Sequence, residues 1–341
     1  MSTALLEARA LLRLQRLAEH RFGAPVTRAE PLQGDASDRA YARLHHPGAE
    51  PPTSIGMIMP GPFSPEALPF LSVRAHLAAV GLPVPALHAA DPEGGLLLLE
   101  DGGGRSLEDL WRAEGWKAAK PYYLKAIDLL APLQRAPDAL GRAFDAALFA
   151  RELHQTRRLA FEGLLGMEAP EEAFAPAFEA LARELCRLPF RLTHRDYHSR
   201  NLLAGAEGRL LLLDFQDARM GPATYDLASL VFDSYAALPE DARELLIGRF
   251  WEGAGAASGF GSREDFRRAL AVTGLQRNLK AIGTFAFQRI ERGTPRYLPH
   301  VPPTARSARL NLARLPERAA LAAQLEPYLD ALEALEESTL P

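Results

Sequence analysis

Cysteine is nearly absent. Cys186 stands alone, so no internal disulfide can form, and with Leu185 and Leu188 beside it the thiol reads as a buried helix position rather than a nucleophile. Lysine is scarce too, arginine supplying most of the 39 basic residues. Long apolar runs are missing. The longest, such as Leu210–Leu213, are strand-sized, and the opening stretch from Leu5 to Phe22 is broken by Glu7, Arg9, Arg13, Arg16 and Glu19. That stretch reads as neither a signal peptide nor a membrane span, and a soluble cytoplasmic protein with no membrane partner is expected. No charge dominates: 39 basic against 43 acidic residues give a net charge of -4, with no basic stripe, so a nucleic-acid partner is not expected. There is no HExxH zinc motif and no GxSxG elbow. His154, His194 and His198 have no cysteine companions at zinc spacing, which argues against a structural metal site. Internal repeats and low-complexity tracts are also lacking.

What is present suits two lobes. The chain has 341 residues, 48% of them apolar, too long for one minimal core. Residues 3–22 carry leucines at helical spacing and predict an amphipathic helix. Strands are expected at 27–33, 39–45 and 53–59, then a helix over 65–80 stopped by Gly81 and Pro83. A hairpin follows over 86–90 and 95–100, turning at Asp91–Gly94. This order makes a small antiparallel sheet with a packed helix. Gly102-Gly103-Gly104 after the Leu96–Leu99 run reads as a flexible connection. The lobe boundary is therefore placed at residues 101/102, giving an N-terminal lobe of 1–101 and a C-terminal lobe of 102–341. Ser106 and Asp109 resemble a capping box that starts a helix at once. Helices are then expected over 117–135, 145–165, 171–187, 224–237, 239–253, 263–290 and 316–336, with a proline-rich surface loop at 295–303. Residues 190–217 break this pattern, with short apolar runs flanking dense polar residues.

That exception carries the chemistry. Residues 194–201 read His-Arg-Asp-Tyr-His-Ser-Arg-Asn, and Asp214-Phe215-Gln216-Asp217 follows an apolar strand. An Asp followed five residues later by an Asn, then a second Asp after the next hairpin, matches the kinase catalytic-loop pattern. Phosphoryl transfer explains the spacing. Asp196 is the candidate base for an attacking hydroxyl. Asn201 and Asp214 offer hard oxygen ligands for magnesium beside the β- and γ-phosphates of ATP. His194 reads as a brace of the loop.

These residues resemble the aminoglycoside-phosphotransferase and choline-kinase superfamily rather than protein kinases. Gly221–Ala228 is similar to that superfamily's segment after the metal aspartate, where the residue matching Asp226 begins a helix and braces the catalytic loop. No Ala-Pro-Glu close of an activation segment appears. Within the superfamily, Gly34–Tyr41, Leu97–Asp101, His194–Leu203, Asp214–Ala218, Gln276–Lys280 and Arg296–Leu298 resemble the N-acetylmuramate/N-acetylglucosamine anomeric kinases, in order from about residue 30 to 300. The resemblance implies a bilobal α+β protein-kinase-like fold, with a small antiparallel β lobe and a larger helical lobe. It also implies ATP- and Mg²⁺-dependent phosphorylation of the anomeric hydroxyl of an N-acetylated amino sugar. A sugar-1-phosphate nucleotidyltransferase of peptidoglycan recycling would take the product, and a monomer is expected.

Kinases of this fold usually carry a phosphate-binding lysine on the third strand, and Ile55–Met59 has none. Gly34, Ser37 and Arg39 are the candidates to hold the phosphates instead. Glu100 and Asp101 mark the linker whose backbone would meet adenine. Asp233, Gln276, Arg277 and Lys280 are the acceptor candidates, and Arg277 and Lys280 share a helix face. Two alternatives stay open. One is a kinase of another small alcohol or an aminoglycoside, against which the two late-helix cations argue mildly. The other is a nucleotide-binding pseudokinase with a regulatory role, motivated by the missing lysine and opposed by the intact Asp196, Asn201 and Asp214.

Overall fold

The computed structural model describes residues 3–32, 39–138, 140–205 and 208–335. The chain forms two compact units, one of Met1–Gly104 with Ala204–Gln216, the other of Arg105–Leu203 with Asp217–Pro341. The first unit is built on a five-stranded antiparallel sheet. Helix α1 (Thr3–Phe22) leads into β1 (Arg28–Leu32), β2 (Ala40–His45) and β3 (Thr53–Ile58). Helix α2 (Pro69–Ala79) and the hairpin β4 (Leu87–Asp91) and β5 (Leu96–Glu100) complete the unit, in the order β1-β2-β3-β5-β4. The leucine stripe of α1 explains its seat. Leu14 and Ala18 are fully buried with Ala42, Leu44, Leu96 and Leu98. Gly56 on β3 permits that approach, because a Cβ there would lie 2.0 Å from Leu14 Cδ2. Strand alternation turns Ile55 and Met57 to the other face of the sheet.

Residues 204–216, expected with the helical region, belong with this first unit, and local bonds explain it. Within strand β9 (Leu210–Leu212, after the short β8 at Leu202–Ala204), Leu212 N–H donates to Pro83 O at 2.8 Å. Arg209 donates to Glu100 Oε1 at 2.7 Å, and the Phe215 ring packs 5.0 Å from Phe70.

The second unit is helical. A two-residue strand, β6 (Arg105–Ser106), precedes α3 (Leu107–Arg135), where the Ser106 hydroxyl accepts from Asp109 N–H at 3.0 Å as the capping residues suggested. The helix is kinked at Gly115, whose φ of 72° is left-handed. Helix α4 (Ala146–Thr156) runs on as a π-helical turn over Arg157–Leu164, followed by α5 (Glu171–Leu185). Strand β7 (Phe190–Thr193) pairs antiparallel with β10 (Arg219–Pro222), and α6 (Tyr225–Val231), α7 (Glu240–Phe250) and the 28-residue α8 (Arg263–Ile290) follow. Most of α8 is buried. It packs close to α4, since a Cβ at Gly283 would meet Thr156 Oγ1 at 2.5 Å.

Three expectations are corrected. The helix expected over 224–237 ends at Val231, because the Asp233 carboxylate is drawn into bonds with Ser199 N–H and Tyr235 N–H. The proline-rich loop at 295–303 is instead a 3₁₀ segment (Pro295–His300) that opens α9 (Val301–Ala313). Pro302 and Pro303 stand in its first turn, where a missing N–H removes no helical bond. The last helix begins later than residue 316: Pro316–Arg318 is a 3₁₀ turn and α10 covers Ala319–Glu333.

Candidate active site

The loop after β7 is where the second unit concentrates its buried polar groups. Arg195 follows the strand with φ at 81°, a left-handed conformation that a non-glycine residue holds only when its surroundings enforce it. Here three groups do so. Asp226, in the first turn of α6, accepts from His194 N–H at 2.6 Å and from Arg195 N–H at 3.0 Å. Arg277 of α8 donates to Arg195 O at 2.7 Å, and its other terminal nitrogen donates to Ser229 Oγ at 2.6 Å. The Arg195 side chain in turn donates to Glu152 of α4 at 3.3 Å. Burial raises the Asp226 carboxyl to about 7, opposed by the two N–H groups and by Arg277.

Asp196 is thereby presented at the mouth of the turn. Its carboxylate receives Lys280 Nζ at 3.0 Å and lies 3.6 Å from Arg277 Nη1. Burial pushes its pKa up, but Lys280, Arg277 and Arg195 outweigh that and hold it well below the usual carboxylate range. Asn201 closes the loop by donating its amide to Asp196 O at 2.9 Å. Asp233 caps the same turn by accepting from Ser199 N–H at 2.7 Å, and burial raises its carboxyl to about 6. Tyr197 ties the loop to α3 by donating to Ala126 O at 2.8 Å. Burial drives His198 down to about 3, so its ring is neutral. A cavity of about 110 Å³ opens on this arrangement, lined among others by Asp196, His198, Tyr235, Arg277, Lys280 and Phe285.

Arg200 fixes the far side of the loop. It pairs with Glu108 of α3, donates to His300 Nε2 at 3.0 Å, and lies 3.7 Å over the Tyr235 ring. Burial, then the Arg200 charge, lowers His300 to about 4, so its imidazole stays neutral and can accept that bond.

In the first unit, Asp214 follows β9 with φ at 61° and accepts from Gln216 Nε2 at 2.6 Å. Arg39 hydrogen-bonds the Tyr41 hydroxyl. Burial raises the Tyr41 phenol, and among the charges that act on it are Arg39 and Asp214. Asp101 accepts a forked pair from Arg43 at 2.7 and 3.1 Å and the Gly103 N–H at 2.9 Å, while Glu100 accepts from Ala86 N–H at 3.1 Å. Both linker carboxylates are thus committed to bonds within the first unit, Glu100 also accepting from Arg209 at 2.7 Å. Gly34 and Ser37 lie outside the described residues.

The sequence profile of the phosphotransferase enzyme family (APH) matches residues 28–270. The chain belongs to that family. A protein of Pseudomonas aeruginosa named N-acetylmuramate/N-acetylglucosamine kinase is 35% identical over 318 residues, covering 91% of each chain. One of the same name from Neisseria meningitidis is 30% identical, over 78% of this chain and 81% of its own. Among solved structures, a choline/ethanolamine kinase family protein from Mesorhizobium loti superposes with a TM-score of 0.58 at 14% identity, over 96% of this chain and 99% of that one. Spectinomycin phosphotransferase in complex with ADP and spectinomycin gives 0.56 at 13% identity, over 82% and 88%. These likenesses establish the expected α+β kinase-like fold and make the chain a phosphotransferase.

For this phosphotransferase the geometry sorts the acceptor candidates. Arg277 and Lys280 line the cavity but both reach Asp196, and Asp233 spends its carboxylate on backbone N–H groups. Gln276 is fully buried, donates to Glu152 at 2.8 Å and is not among the residues that line the cavity. Ser229, Glu152, Arg200 and Tyr235 were missed by the sequence reading. Arg200 alone carried a signal, sitting inside the catalytic-loop pattern next to Asn201.

Proposed function

We propose that this chain is an ATP- and magnesium-dependent kinase that phosphorylates the anomeric hydroxyl of an N-acetylated amino sugar, N-acetylmuramate or N-acetylglucosamine. Membership of the family and the names of the 30–35% identical relatives support the substrate class. The observation that carries the chemistry is Asp196, a carboxylate at the edge of a cavity and held ionised by two cations. Those cations also disfavour a polycationic acceptor such as an aminoglycoside.

In this reading the first unit, with Arg39, the residues Gly34 and Ser37 and the linker backbone at Glu100 and Asp101, holds the nucleotide, and the cavity of the second takes the sugar. The acceptor hydroxyl donates a hydrogen bond to Asp196. Its oxygen bonds to the γ-phosphorus as the bond to the bridging oxygen breaks. That electron pair leaves with ADP, and the proton passes to Asp196. A carboxylate with so depressed a pKa is a weak base, which suits a loose transition state where positioning matters more than early proton removal. Asn201 and Asp214 fit magnesium by donor chemistry, one amide and one carboxylate oxygen, the pattern of an ion that completes its shell with phosphates and water. When bound, magnesium neutralises charge on the phosphate oxygens. The product, a sugar 1-phosphate, is the substrate class of nucleotidyltransferases. In Asp196→Asn, turnover should fall at least about 100-fold while nucleotide binding persists; unchanged turnover rejects the assigned base.

A further inference from the structure

Helix α8 presents one motif whose residues almost all serve the catalytic loop. Gln276 holds Glu152, which holds Arg195; Arg277 holds the Arg195 carbonyl and Ser229; Asn278 donates to Phe232 O at 3.2 Å, where α6 ends. Lys280 differs from these. It lines the cavity, as Arg277 and Asn278 do, but among the described residues the hydrogen-bond partner of its ammonium is Asp196 Oδ1 alone. Arg277 also lies 3.6 Å from Asp196, but its guanidinium is engaged by a carbonyl, a hydroxyl and the face of Tyr225 at 4.8 Å. Lysine is also a poor choice for mere loop bracing. Its flexible stem and three donors suit a mobile oxyanion better than a fixed carbonyl.

The placement of lysine along the chain sharpens the point. No lysine precedes Lys117, and Lys117, Lys120 and Lys125 all lie on α3. The sheet of the first unit therefore contains no ammonium for the phosphates. An acceptor oxygen hydrogen-bonded to the other Asp196 carboxylate oxygen lies within about 8 Å of Lys280 Nζ, from ordinary hydrogen-bond lengths at each end and the spacing of the two carboxylate oxygens. The phosphoryl group that this oxygen receives must pass through the same space.

We propose that Lys280 is a catalytic residue of the transfer. Its ammonium holds Asp196 Oδ1, leaving the other carboxylate oxygen for the acceptor hydroxyl, and donates to an equatorial oxygen of the phosphoryl group in flight. It supplies from the acceptor side positive charge that a strand lysine supplies in other kinases. In the transfer the acceptor O–P bond forms and the bond to the bridging oxygen breaks with its electron pair on ADP. The hydroxyl proton goes to Asp196, and Lys280 keeps all its protons. The proposal rests on the kinase reading above.

The test is Lys280→Ala, with Lys280→Met as an isosteric control for packing. Both should melt within a few degrees of wild type. In each, kcat should fall about 100-fold, as for loss of one transition-state donor, with KM for sugar and ATP changed less than about threefold. Ethylammonium ions should restore at least about tenfold of the lost rate to Lys280→Ala, and tetramethylammonium, which has no N–H, none. A retained kcat, a loss confined to the KM of the sugar, or no rescue by ethylammonium overturns the proposal. A second readout needs no sugar turnover. With magnesium, wild type should bind ADP and fluoroaluminate, a mimic of the planar phosphoryl group, at least about tenfold tighter than Lys280→Ala while the two bind ADP alike. Equal binding of fluoroaluminate by both proteins overturns the proposal. Absence of any sugar phosphorylation by wild type rejects the amino-sugar reading instead, and the fluoroaluminate comparison still decides the role of Lys280.

Discussion

Replacing Arg277 with lysine keeps a positive charge in the same place and removes the fork. In the structure one guanidinium satisfies Arg195 O at 2.7 Å and Ser229 Oγ at 2.6 Å, and stands 3.6 Å from Asp196. A single ammonium reaches one of these partners well. The lost charge-assisted bond is worth about 1.5–3 kcal/mol, and a buried acceptor left bare adds to it. Arg277→Lys should therefore lose about 2–3 kcal/mol of stability, and Arg277→Met about 3–5 kcal/mol, because the methionine leaves the buried network short of a charge. The effect on turnover should exceed what stability explains. Without its carbonyl anchor, Arg195 can relax from φ 81°, and Asp196 moves with it. A displacement of about 1 Å at a reacting group costs about 100-fold in rate. Urea denaturation followed by circular dichroism, beside steady-state kinetics at a temperature where both proteins are folded, measures the two effects. If Arg277→Lys stays within about 0.5 kcal/mol and keeps its kcat, the guanidinium is not the anchor of the loop and the reasoning fails.

Three further outcomes follow from particular contacts. His300 titrates at about 4 in the fold against 6.5 when unfolded, so the unfolded chain binds the extra proton and stability is lost as pH falls from about 6.5 toward 4; His300→Gln, which can still accept from Arg200, should flatten that slope by roughly 2–4 kcal/mol across the window. Gly56→Ala should cost about 1–3 kcal/mol by driving a methyl into Leu14, and Gly56→Ala with Leu14→Ala should be less destabilised than the sum of the single changes; simple additivity in a double-mutant cycle contradicts the packing described. Glu108→Gln should loosen Arg200 and with it the Tyr235 wall, raising KM for the sugar more than it lowers kcat; a pure kcat effect would place Arg200 elsewhere in the mechanism.

The parts of this account legible in the sequence are those with a local rule. Asp196, Asn201 and Asp214 stand out as candidates by spacing, and β1 to β5 by alternation and turn residues. The capping of α3 is written in Ser106 and Asp109, three positions apart in one turn. What was hidden depends on partners far apart in the chain. Lys280 reads as an acceptor contact because nothing near it says that its ammonium meets a carboxylate 84 residues away. Asp233 has the composition of a binding residue, yet its carboxylate serves a backbone N–H 34 residues earlier. Gln276 is polar on a helix that the sequence leaves half exposed and the fold buries. Helix α9 was obscured because Pro302 and Pro303 punctuate a loop as readily as they open a helix. The proposed nucleotide contacts Gly34 and Ser37 rest on the sequence pattern.

The central claim is the reaction. The direct measurement is to incubate the purified protein with ATP, magnesium and, separately, N-acetylmuramate, N-acetylglucosamine, glucosamine, kanamycin and choline, and to identify the products by phosphorus NMR. The account predicts an anomeric phosphate signal from the two N-acetylated sugars and none from kanamycin or choline. Transfer to another hydroxyl of the sugar, transfer only to the cationic acceptors, or bound ATP that is never transferred would contradict it.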